Sequence, residues 1–88
     1  MIPKSRKPTH PGEILLEEFL RPSGMSQIDL AAKMGVSVQR VNTLINGRRD
    51  VTAETAVLLA KVLNTSAEFW MNLQTSLDLH KAHQKLAA

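Results

Sequence analysis

The chain has 88 residues, no cysteine and a formal charge of +3, from eleven Lys and Arg against eight Asp and Glu. That length suits one domain burying about 60–65% of the surface its unfolded chain exposes, and without cysteine neither a disulfide framework nor a thiolate metal site can form. No apolar run approaches the roughly 18 residues of a membrane span and MIPKSRKPTH lacks the apolar middle of a signal peptide, so a cytoplasmic protein away from membranes is expected, with a weak leaning towards an anionic partner.

Residues 1–9 carry Lys4, Arg6 and Lys7 with two prolines and no apolar period, and are expected to form a flexible basic arm. The arm is either a disordered tail or a contact to phosphates or the minor groove. A helical domain is expected over 10–80, with 81–88 a frayed tail. In PGEILLEEFL, Leu15, Leu16, Phe19 and Leu20 share one side while Glu13, Glu17 and Glu18 take the other, where they face solvent or receive a basic partner. Pro22 and Gly24 should stop this helix.

A second helix starts at Ser26, whose hydroxyl can cap the orphan amides while Asp29 returns the bond three residues on. Ile28, Leu30, Ala31 and Met34 supply its expected inner face. Gly35 then stands where a helix end needs a left-handed residue, and Ser37 caps a third helix with Val41, Leu44 and Ile45 inward and Gly47 at its close. Thr52 caps a fourth helix carrying Glu54 in its first turn and Ala56, Leu59, Ala60 and Leu63 on one face, up to Asn64. Ser66 caps a fifth, in which Phe69, Trp70, Leu73 and Leu77 recur at steps of three and four. No internal repeat and no defensible strand pattern appears, so the fold class is all-α.

Two short helices joined at a glycine corner fit a helix-turn-helix, which presents its second helix to the major groove. Ala31 is small where the helices must cross, and Leu30, Met34, Val36, Val41 and Leu44 are apolar where the unit must pack. The alternative is an ordinary αα-hairpin in a small bundle. With Val41 inward, 100° per residue turns Gln39, Thr43 and Asn46 outward and puts Arg40 and Asn42 on the flanks. Gln and Asn can bond adenine in bidentate fashion, Arg can bond guanine, and Thr can use its hydroxyl or touch a thymine methyl. The base-reading candidates are therefore Gln39, Thr43, Arg40, Asn42 and Val38, the last either meeting a thymine methyl or turning inward. Gln27, Ser37, Asn46, Arg48 and Arg49 are the candidates for the DNA backbone, with Asp50 a partner for one of the arginines.

SQIDLAAKMGVSVQRVNTLINGRR resembles the helix-turn-helix of Cro/C1-type (XRE) repressors, with Gln27 as the second residue of its segment and the NGxR ending. More narrowly, HPGEILLEEFL, SQIDLA and RVNTLINGRRDVTAETAVLLAKVLNTSAEFWMNLQ follow in the order of the HigA (VapI-like) antitoxin family, over roughly residues 7–80. The resemblance implies a five-helix lambda-repressor-like domain. It also implies an antitoxin that binds a HigB-like toxin of the RelE superfamily, a ribosome-dependent mRNA endonuclease, and represses its own operon as a dimer on double-stranded operator DNA. A free-standing XRE regulator without a toxin is the alternative, and a protein-binding module that no longer contacts DNA is a third reading.

Phe69, Trp70, Leu73 and Leu77 are core residues or, in part, dimer-interface candidates, since a helix from Ser66 towards Lys81 would span roughly 24 Å. A homodimer is expected because one recognition helix reads too few bases. His80 and His83 share a helical face but lack a third ligand in register, so neither a metal nor a cofactor is expected. With no phosphate loop, cysteine nucleophile or paired carboxylates in a cleft, the chain does not read as an enzyme.

Overall fold

The computed structural model describes residues 7–87, and the basic arm lies mostly outside them: Lys4 and Arg6 fall among residues 1–6. Five helices form, and no strand occurs among the described residues. Helix α1 runs Pro11–Ile14, widens into a π-helical stretch at Leu15–Leu20 and finishes as Arg21–Ser23. His10 starts it, its Nδ1 accepting the Gly12 N–H at 2.9 Å, and Pro11 occupies the first turn, where a missing donor costs nothing.

Pro22, expected to stop α1, lies inside it. A proline in a regular α-helix removes a donor and its ring meets the carbonyl four residues back. Here the register has already shifted: the Arg21 N–H bonds Leu16 O, five residues back, and the Ser23 hydroxyl takes the Phe19 carbonyl at 2.6 Å. Termination falls to Gly24, in the left-handed region at φ 70°.

Helix α2, Gln27–Met34, begins with the reciprocal capping box of Ser26 and Asp29. Leu30, Ala31 and Met34 are buried, but Ile28 is 70% exposed, because it lies about 200° around the helix from Leu30. Gly35 ends α2 at φ 73° and turns the chain. Helix α3, Val38–Ile45, opens with the Ser37 hydroxyl accepting the Arg40 N–H at 3.1 Å and buries Val41, Leu44 and Ile45. Helix α4, Ala53–Leu63, is capped by Thr52 and ends at Asn64 in the left-handed conformation.

Helix α5, Ala67–Leu86, is 20 residues long. Residues 81–86, expected to fray, continue it, because the first turns are anchored in the core and adding a residue to an existing helix is far easier than nucleating one. Of the four dimer-interface candidates, Trp70 and Leu77 belong to the monomer core, at 0% and 1% exposure. Trp70 donates its indole N–H to Thr65 at 2.8 Å and stacks at a tilt on Phe19, with ring centroids 5.2 Å apart, so its bulk welds α5 to α1. Leu73 is half-buried and Phe69 remains at the surface, leaving only these two for contact with another chain.

One close approach sets the position of α3. Gly12 packs against the carbonyl of Leu44, and a Cβ on Gly12 would run into that atom. Glycine is therefore required in α1 for the absence of its side chain, so that the back of α3 can rest on it.

Candidate nucleic-acid interface

Gly35 turns α3 away from α2 with its amphipathic face fixed: Val41, Leu44 and Ile45 point to the core, while Val38, Gln39, Asn42 and Asn46 are exposed and Thr43 is half-buried. The helix contains no Asp or Glu, so nothing on it repels phosphate. Gln39, Thr43, Ser37 and Arg49 line one open polar recess together with Arg40. Thr43 donates its hydroxyl hydrogen to the Arg40 carbonyl at 3.1 Å, which leaves the oxygen free to accept and the methyl free for contact.

Arg40 turns sideways rather than straight outward. Its Nη2 donates to Thr55 Oγ1 at 2.9 Å and lies 3.9 Å from Glu54, so the side chain is drawn towards the start of α4. Thr55 is buried and also accepts from Thr52, which places Arg40 as a clasp between α3 and α4. Asn42 is likewise engaged: its Nδ2 donates to Gln27 Oε1 at 3.1 Å, and its Oδ1 accepts from Asn46 at 3.1 Å. Gln27, at the first position of α2, thus stands against the outward side of α3.

After α3 the chain makes a tight turn. Gly47 adopts φ 75°, its N–H bonding Leu44 O at 3.1 Å, and the Arg48 N–H bonds Thr43 O at 2.9 Å. Arg48 and Arg49 are both exposed beside Asn46, at the end of the recognition face. Asp50, expected to pair with one of them, lies instead 4.0 Å from His10 Nε2. Burial holds the His10 pKa below its usual 6.5 against the opposing pull of Asp50, so the imidazole is mainly neutral at pH 7 and the contact is no full ion pair.

A helix-turn-helix family profile matches residues 16–70. Antitoxin HigA-1 of Vibrio cholerae serotype O1 is 45% identical over 74 residues, 84% of this chain and 70% of that protein. Virulence-associated protein I of Dichelobacter nodosus is 44% identical over 75 residues, 85% of this chain and 69% of its own length. The chain belongs to the HigA and VapI-like family of helix-turn-helix antitoxins. The structure of Pseudomonas aeruginosa antitoxin HigA with the higBA promoter matches this HigA-like chain with a TM-score of 0.86 at 40% identity, covering 90% of this chain and 86% of that one. The fold of the HigA family is that of a DNA-binding transcription regulator, not of an enzyme.

Three residues of this HigA-like chain that support the interface carry no motif in the sequence. Thr55 and Glu54 hold Arg40, and buried Gln74 accepts the Val51 N–H at 2.8 Å while donating to Asp78 at 2.9 Å. Gln74 thereby ties the end of the Arg48–Arg49 loop to α5. Its one signal in the sequence is position: a polar residue between Trp70 and Leu77 on the inward stripe must have a partner.

Proposed function

We propose that this protein is a dimeric, cytoplasmic repressor of its own operon and the antitoxin of a type II toxin–antitoxin pair, neutralising a HigB-like mRNA endonuclease. The reading rests above all on one arrangement: an acid-free helix that presents Gln39 and Thr43 outward, flanked by Gln27, Ser37, Asn46, Arg48 and Arg49. Amide and hydroxyl groups at the centre suit base edges in the major groove, and the cationic and N-terminal groups around them suit phosphates. The naming of a relative as HigA-1 antitoxin and the promoter in the P. aeruginosa HigA structure support the same reading. A two-fold pair would place two such helices on half-sites about one helical turn apart.

Gel shift with the gene's own promoter at several salt concentrations tests the DNA half. Affinity should fall linearly on a log–log plot as salt rises. Gln39→Ala should weaken binding by about 1–3 kcal/mol and relax the preference at one base pair, whereas Arg48→Ala should weaken all sequences alike. No shift at low salt would leave only a protein-binding role. Co-purification with the product of a small basic reading frame beside the gene tests the toxin half; without such a partner, a free-standing XRE regulator is the better description.

A further inference from the structure

Gln27 opens α2 and Asn46 closes α3, yet a chain of side-chain amides connects them. Asn42 Nδ2 donates to Gln27 Oε1 at 3.1 Å, and Asn46 Nδ2 donates to Asn42 Oδ1 at 3.1 Å. Both bonds run in one direction, so the two ends of the chain differ. At one end the Gln27 carbonyl is occupied and its NH2 group is uncommitted among the described residues. At the other, the Asn46 carbonyl and its second N–H are left over.

That polarity matters because a phosphate offers only acceptors. A glutamine amide free to flip presents its oxygen half the time, which a phosphate repels; one whose oxygen is already bonded presents N–H. Asn42, for its part, spends one N–H and one carbonyl lone pair on these neighbours, and the two bonds together fix its amide plane between Gln27 and Asn46, so it is not free to turn to the edge of an adenine as bidentate readout needs. We propose that Asn42 is a positioning residue that orients the Gln27 amide to donate to a backbone phosphate, and that it reads no base. The inference rests on the DNA-binding reading above.

The experiment uses the full chain and a duplex of the gene's promoter, with a set of duplexes each altered at one base pair. Asn42→Ala should weaken binding about three- to tenfold on every duplex, the size expected for one hydrogen bond. In a Gln27→Ala background the same substitution should lose most of its effect, since the Gln27 amide is gone and only the bond to Asn46 is left to lose. In the DNA-free protein, NMR should show the Gln27 side-chain amide protons well dispersed, and Asn42→Ala should collapse them towards random-coil positions without lowering Tm. The exposure of Asn42 makes that separation from stability practicable. A loss confined to one base-pair position, a full loss that persists without Gln27, or Gln27 signals indifferent to Asn42 would each overturn the inference while leaving DNA binding intact. Failure of the wild type to shift any duplex would instead remove the DNA-binding reading, and this inference with it.

Discussion

Two surfaces of this protein are helical and exposed along several turns, the outward side of α3 and the last turns of α5, and they differ in how their side chains are held. On α3, Asn42 is tied to Gln27 and Asn46, Thr43 bonds back to the Arg40 carbonyl, and Arg40 is clasped by Thr55. Beyond Leu77 no residue of α5 is fully buried and only His80 is half-buried: Leu79 and Leu86 are 55% and 80% exposed, and residues 81–87 all face solvent. Recognition needs groups whose rotamers are fixed before the ligand arrives, because ordering them on binding costs affinity. By that measure α3 is prepared for a ligand and the end of α5 is merely accessible.

The comparison predicts where substitutions should hurt. Gly12→Ala should have the largest effect, at least about 3 kcal/mol, because its Cβ meets backbone that cannot rotate away. Urea denaturation should show the loss directly, and operator binding should fall with it, since Gly12 seats the back of α3. Ala31→Leu should come next, at about 1–3 kcal/mol, by forcing α2 and α3 apart at a site only 4% exposed. If either variant kept full stability, the claim that α3 is positioned from behind would fail.

A smaller, pH-dependent effect should come from His10. Burial lowers its pKa in the fold, with Lys81 and Lys7 acting in the same direction and Asp50 and Asp78 opposing. The unfolded chain therefore binds the proton more readily, and stability should be complete above about pH 6.5 and decline as pH falls below it. Protonation also removes the Nδ1 lone pair that accepts the Gly12 N–H, so the cap of α1 is lost in the charged form. His10→Asn keeps a capping acceptor and titrates nothing, and its urea midpoint should be flat from pH 7.5 to 5.5, where the wild type slopes. Equal slopes in the two proteins would show that another group carries the acid sensitivity.

How much of this was legible in the sequence follows from the range of each interaction. Ser26, Ser37, Thr52 and Ser66 all cap the helices expected of them, because a cap bonds an amide only a few residues away. Gly35 was legible for the same reason. The Arg40–Thr55 clasp spans 15 residues and the Gln74–Val51 bond 23, so neither leaves a local pattern. Gly12 was hidden too, since the need for it arises only when Leu44 arrives from another helix. Helical phase gave the direction of Gln39 and Thr43 correctly, but it could not show that Arg40, at the flank, would find a partner on α4. Pro22 misled because a local rule about helix breakers was overridden by the π-helical turn before it.

The least expected effect is the sharpest test of the contrast. Leu79→Gln and Leu86→Gln together remove the large exposed apolar side chains from the end of α5, and neither leucine belongs to the buried core. Such surface changes usually stay within about 0.5 kcal/mol, and the urea midpoint at low protein concentration should hold to that. Measured against the single-site effects at Gly12 and Ala31, near silence here would show that exposure by itself carries no stability. A midpoint that drops clearly below the wild type's at high protein concentration, by a difference that shrinks as both are diluted, would break the comparison: the end of α5 would then be packed against a second copy, and its leucines would belong with Phe69 and Leu73 in the dimer contact.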